Sequence, residues 1–102
     1  MNYYKHWLGI LYTPGIKELA DNHGAYWLID AIASYQPKLK KNPRLQDFQL
    51  WNLTVTNNSA ALTCREDTNI KPVVTQKIEY TDFPNSIKIY VVNNVILLPE
   101  EY

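Results

Sequence analysis

The stretch Gly24-Ala25-Tyr26-Trp27-Leu28-Ile29-Asp30-Ala31-Ile32-Ala33-Ser34-Tyr35 constrains this chain more than any other, because at helical spacing it is apolar on nearly every side. A helix with one apolar stripe can lie on a sheet and face water, whereas one this apolar needs neighbours on several sides. Only Asp30 and Ser34, four residues apart and so adjacent on one face, break the pattern. The helix must therefore be a central element of whatever core forms.

At 102 residues the chain is read as a single domain, 1–102, with room for one core. A first helix is expected just upstream. Thr13 is a good N-cap and Pro14 suits the first helical position, where its missing N–H costs nothing. Ile16, Leu19, Ala20 and His23 share a face, and Gly24 can supply the left-handed stop. The aromatic residues 3–12 are ambiguous but read as helix on the spacing of Tyr4, Trp7, Leu8 and Leu11. From Gln36 to Gln46, the prolines and charges read as an exposed loop joining a helical half to a strand half.

The second half alternates with period two. If Asn57-Asn58 form a two-residue turn, Val55 faces Ala60, Leu53 faces Leu62 and Trp51 faces Cys64, all on one side. A slip by one residue would scramble that agreement. Val74, Ile78 and Tyr80 continue as a third strand. A second Asn pair, Asn93-Asn94, folds residues 87–92 back on 95–98. In this last hairpin both faces are apolar: Ile87, Ile89, Val91, Ile96 and Leu98 on one, Tyr90, Val92, Val95 and Leu97 on the other. Either the second face is covered, with the aromatic N-terminal segment as the candidate cover, or it is an exposed contact patch; the first is preferred, since monomers rarely leave large apolar patches bare. The fold class is α+β, with two helices, or three if residues 3–12 are helical, on one face of an antiparallel sheet of about five strands.

The function classes narrow by elimination. Ten Lys and Arg balance ten Asp and Glu, so no overall field draws the chain to nucleic acid or an anionic membrane. No apolar run approaches the roughly 20 residues that span a bilayer, so no membrane association is expected. A single cysteine and a start without a basic-then-apolar layout point to the cytoplasm. His6 and His23 lie too far apart in sequence to form a metal motif, and the scattered glycines form no phosphate loop, so neither metal nor cofactor is expected. Cys64 points inward in the expected register, against a nucleophilic role.

Three groups of residues are left as candidate sites. Asp30, with Tyr26, Trp27 and His6, would make an aromatic pocket around a carboxylate, suited to a small enzyme or a ligand-binding protein. Lys38, Lys40, Lys41 and Arg44 gather four of the ten positive charges in the 37–44 segment and would be the place for nucleic-acid contact, which the rest of the chain does not reinforce. Tyr90, Val92, Val95 and Leu97 would present an apolar face to a protein partner or to a second copy of the chain.

Several stretches carry a resemblance. Tyr12-Thr13, Gly15-Ile16-Lys17, Leu19-Ala20, Gly24 to Ser34, Leu62 to Asp67, Ile78 to Pro84 and Leu97 to Tyr102 resemble a family of short bacterial proteins of unknown function associated with plasmids and phages. The resemblance implies one domain over the whole chain and a mobile-element setting, and it carries no catalytic residues. The expected function is that of a small non-catalytic protein-binding module acting on a host factor such as a defence complex.

Overall fold

The computed structural model describes residues 2–102. Its elements are β1 (Tyr4–Lys5), β2 (Leu11–Tyr12), α1 (Pro14–His23), α2 (Tyr26–Leu39), α3 (Pro43–Asp47), β3 (Phe48–Thr56), β4 (Ser59–Arg65), β5 (Val74–Ile78), β6 (Ile87–Val92), β7 (Val95–Leu97) and a 3-10 turn at Pro99–Glu101. The α+β class holds. The expected antiparallel sheet of about five strands needs correction: the sheet has seven, in the order β1-β2-β7-β6-β3-β4-β5, and it is mixed, because the N-terminal hairpin adds two strands and β2 runs parallel to β7.

The helical start forms as its residues dictate. The Thr13 side chain accepts from the Ile16 N–H, Pro14 opens α1, and Gly24 closes it at φ 59°. Helix α2 then buries Leu28, Ile29, Ile32 and Ala33 over the sheet, and Tyr35 tilts against Trp51, their ring centres 5.9 Å apart.

Both Asn-Asn pairs are hairpin turns. Asn57, Asn58, Asn93 and Asn94 all have positive φ, the left-handed geometry of type I′ turns that asparagine tolerates better than most residues. The register across the first turn is the expected one, pairing Trp51 with Cys64, Leu53 with Leu62 and Val55 with Ala60. That row faces the helices, and Ile89, Val91 and Ile96 extend it across the sheet.

Four further expectations need correction. Residues 3–12 are not a helix. Gly9 sits at φ +101°, and the His6 N–H to Ile10 bond and the Gly9 N–H to His6 bond close a tight turn instead. The arms β1 and β2 of this small hairpin add to the sheet edge, where Leu11 and Thr13 donate to Asn94 and Ile96. The exposed loop expected over 36–46 is largely helical. Helix α2 continues through Pro37 to Leu39, and Asn42 caps α3 by accepting from the Arg44 N–H. A proline inside a helix costs about 3 kcal/mol, but Gln36, Leu39 and Leu45 fall on the buried face, and burying each leucine offsets roughly 2 kcal/mol.

The third strand ends at Ile78, before Tyr80. Thr81 donates to the Asn58 carbonyl and turns the chain, so Tyr80 is exposed and Phe83 is buried beside His23. Finally, the second face of the last hairpin is covered only in part, by the 3-10 turn and Tyr102 against Phe48 and Tyr90, with Tyr3 from the N-terminal segment only at its border.

Candidate protein-contact site

On the side of the sheet away from the helices, Phe48 and Leu50 of β3 stand beside Tyr90 and Val92 of β6, with Val95 and Leu97 of β7 at the border. Alternation along each strand dictates this, because Phe48 and Leu50 are out of phase with the helix-facing Gln49 and Trp51. Leu50 and Leu97 are buried, whereas Phe48, Tyr90, Val92 and Val95 are half-buried. Tyr102 lies against Phe48 and meets Tyr90 edge-on, with ring centres 6.0 and 5.6 Å apart. Tyr102 as a whole is 73% exposed.

The turn that carries Tyr102 is pinned by a carboxylate. Glu101 Oε1 accepts from the Thr13 hydroxyl at 2.7 Å and from the Leu98 N–H at 2.9 Å. Thr13 Oγ in turn accepts from Ile16 N at 3.2 Å, so a negative charge sits at the N-terminus of α1, where the helix dipole favours it. Gly15 makes room: a Cβ there would come within 2.6 Å of Glu101 Oε2. Between this turn, Tyr3 and the hairpin lies a cleft of about 280 Å³, with Val92, Val95 and Leu97 as its apolar wall and Thr13 and Glu101 as its polar one. It offers apolar contact under tyrosine rims, which suits a side chain of a partner protein.

The Asp30 group assembles in part. His6 Nε2 lies 2.6 Å from Asp30 Oδ1, while His6 Nδ1 accepts from the Leu8 N–H at 3.0 Å. An accepting Nδ1 puts the imidazole proton on Nε2, so a neutral His6 donates to Asp30. His6 is buried but the Asp30 side chain is 64% exposed, so the aromatic enclosure expected around it does not form. Tyr26 turns away, its hydroxyl donating to Asp21, which also takes Lys17 at 2.7 Å. These two bonds hold the Asp21 carboxyl below its ordinary range, and the same bond raises the Tyr26 phenol. Trp27 packs against the core.

Two of the four basic residues are taken up by partners within the chain. Lys40 donates to Asn94, and Arg44 reaches Glu66 at 3.3 Å, leaving Lys38 and Lys41 exposed at the end of α2. Cys64 is buried beside Trp51 in the register, and burial pushes its thiol up to about 12. A thiol held protonated in this way is a poor nucleophile.

Sequence reasoning missed Glu101 and the buried pair Gln36 and Gln49. Each glutamine amide donates to the other's carbonyl, at 2.9 and 2.8 Å, and Gln49 also accepts from the Trp51 indole. The signal was present in the alternation, since Gln49 is in phase with Trp51 and Leu53. No helix among the described residues is long and apolar enough to cross a membrane.

A protein family described as a family of unknown function, DUF6876, matches residues 1–102. Comparison with curated proteins and with solved structures finds no match.

Proposed function

We propose that this chain, which belongs to the family of unknown function DUF6876, is a small non-catalytic protein-binding module whose contact surface is the outer face of the β6–β7 hairpin. One observation carries the reading: a half-buried apolar floor, Tyr90, Val92 and Val95, lies under two exposed tyrosines, Tyr3 and Tyr102. Tyrosine gives large contact area with a hydroxyl for the rim and loses little conformational freedom on binding. The floor cannot fill itself, because the 3-10 turn beside it is anchored through Glu101 to α1 and sets Tyr102 against Phe48 and Tyr90, leaving the cleft along Val92, Val95 and Leu97 open.

The partner in this reading is a host protein in the cytoplasm, such as a component of a defence complex, and the chain is a mobile-element product of a bacterial plasmid or phage. The resemblance to short proteins from such elements supports that setting. A photo-crosslinking residue at position 102 provides the test in host lysate. The expected result is one covalent adduct in stoichiometric amount, reduced at least about 30-fold by Val92→Asp, as for loss of a central contact. No adduct in several hosts, or an adduct that Val92→Asp leaves unchanged, rejects the reading.

A further inference from the structure

The hairpin tip is a second, separate surface. Trp7 is 82% exposed and Leu8 48% exposed, yet the turn that presents them is rigidly held. His6 beneath it is bonded on both ring nitrogens, to Asp30 and to the Leu8 N–H, and the Trp7 ring stacks on the His6 ring with centres 5.5 Å apart. Beside the tip runs a groove of about 350 Å³, floored by Ile10 and Ala33 and walled by Leu8, Ser34, Pro37 and Lys40. Pro37 has no N–H, so the Ala33 carbonyl lacks its helical donor, and these same two residues line the groove. An indole has the matching chemistry: a flat apolar body with one N–H to donate.

The charges next to the groove identify where such an indole would come from. Asp30, Ser34 and Lys38 are all exposed and recur every fourth residue along α2, so the stripe is acidic at one end, small in the middle and basic at the other. A twofold axis through Ser34 superposes this stripe on its own reverse, with Asp30 of each copy facing Lys38 of the other. Each charge lies about 6 Å along the helix from that axis. His6 fixes the tip at the Asp30 end, whereas the groove extends to the Lys40 end. The rotation that pairs the charges therefore carries each Trp7 toward the other copy's groove.

We propose that two copies of this chain associate through this face as an isologous dimer, each inserting Trp7 into the groove between the hairpin and α2 of the other. Self-complementarity of knob, groove and charge is what a closed twofold interface requires. The face is on the helix side of the sheet and leaves the tyrosine face free, so the inference is independent of the partner proposed above.

Analytical ultracentrifugation of the full chain from micromolar to several hundred micromolar tests it, with tryptophan emission recorded alongside. Wild type should pass from monomer to dimer as concentration rises, and its emission should shift to the blue as Trp7 leaves water. Trp7→Ala should weaken association at least about 30-fold, as for a central tryptophan anchor. Lys38→Asp sets carboxylates opposite Asp30 and should also dissociate the dimer. Added salt should partly restore this variant's association while weakening that of wild type, since screening acts on repulsion in one and attraction in the other. Both substituted residues are exposed, and circular dichroism checks that each variant is folded. A wild-type chain that is monomeric throughout overturns the proposal, as does either variant associating like wild type.

Discussion

Glu101 shows how much one side chain can organise. Its carboxylate joins the 3-10 turn to Thr13 at the start of α1, and the absence of a side chain at Gly15 leaves it room. Charge-assisted bonds of this kind contribute more than neutral ones, so Glu101→Ala should cost about 1–2 kcal/mol in chemical denaturation. Gly15→Ala forces the same carboxylate out of place, and in that background Glu101→Ala should cost less. Additive effects would mean that the two positions do not share the contact. None of this was legible from residue order, because 85 intervening residues separate Gly15 from Glu101 and neither has a distinctive local pattern. His6 and Asp30 are different: both stood out as polar groups within apolar surroundings, and the fold joins them.

Among the elements, α2 departs furthest from its expected bounds. Pro37 and the run of charges suggested a loop, yet the buried face continues through Gln36 to Leu39, and tertiary packing outweighs one lost backbone bond. The Asn42-Pro43 cap of α3 repeats the Thr13-Pro14 signature that marked α1, so that start was readable. The Gln36 and Gln49 pair ties α2 to β3 inside the core, with every buried amide satisfied among the described residues. Gln49→Leu should therefore destabilise by about 2–3 kcal/mol, stranding the Gln36 carbonyl oxygen and the Trp51 N–H, while the Gln36 N–H keeps the Ile32 carbonyl. The double variant Gln36→Leu/Gln49→Leu should recover part of that loss, because no glutamine carbonyl is then left without its donor, while the Trp51 indole and the Leu45 carbonyl stay without Gln49 in both variants. A double variant less stable than Gln49→Leu would show that the pair is not the coupled unit its geometry describes.

At the scale of the whole molecule, the Asn93-Asn94 turn is where separate parts meet. Asn94 accepts from Leu11 through its backbone and from Lys40 through its side chain, and its amide donates to Gly9 at 3.3 Å, while Asn93 donates to Asp47. One turn thus holds the N-terminal hairpin, the end of α2 and the end of α3. Asn94→Gly keeps the left-handed backbone while deleting the side-chain bonds. Hydrogen exchange should accelerate in residues 6–12 and 39–42 and stay unchanged in the first Asn-Asn hairpin; uniform acceleration, or none, would deny the turn this local role.

What the sequence determined by itself is whatever depends on near neighbours: the α+β class, the capped start of α1, the apolar α2 and the registers set by two Asn-Asn turns. Periodicity and turn chemistry act over a few residues, so they survive without knowledge of the rest of the chain. The tertiary structure alone decided the parallel pairing of β2 with β7, the carriage of α2 past Pro37, and the cover that the Glu101 turn lays over the second hairpin face. Each of these depends on contacts between segments far apart in sequence, where the burial gained elsewhere outweighs a local preference. Asp30 belongs to both: its polarity within an apolar helix was plain from the start, and only the folded chain supplied His6 as its partner.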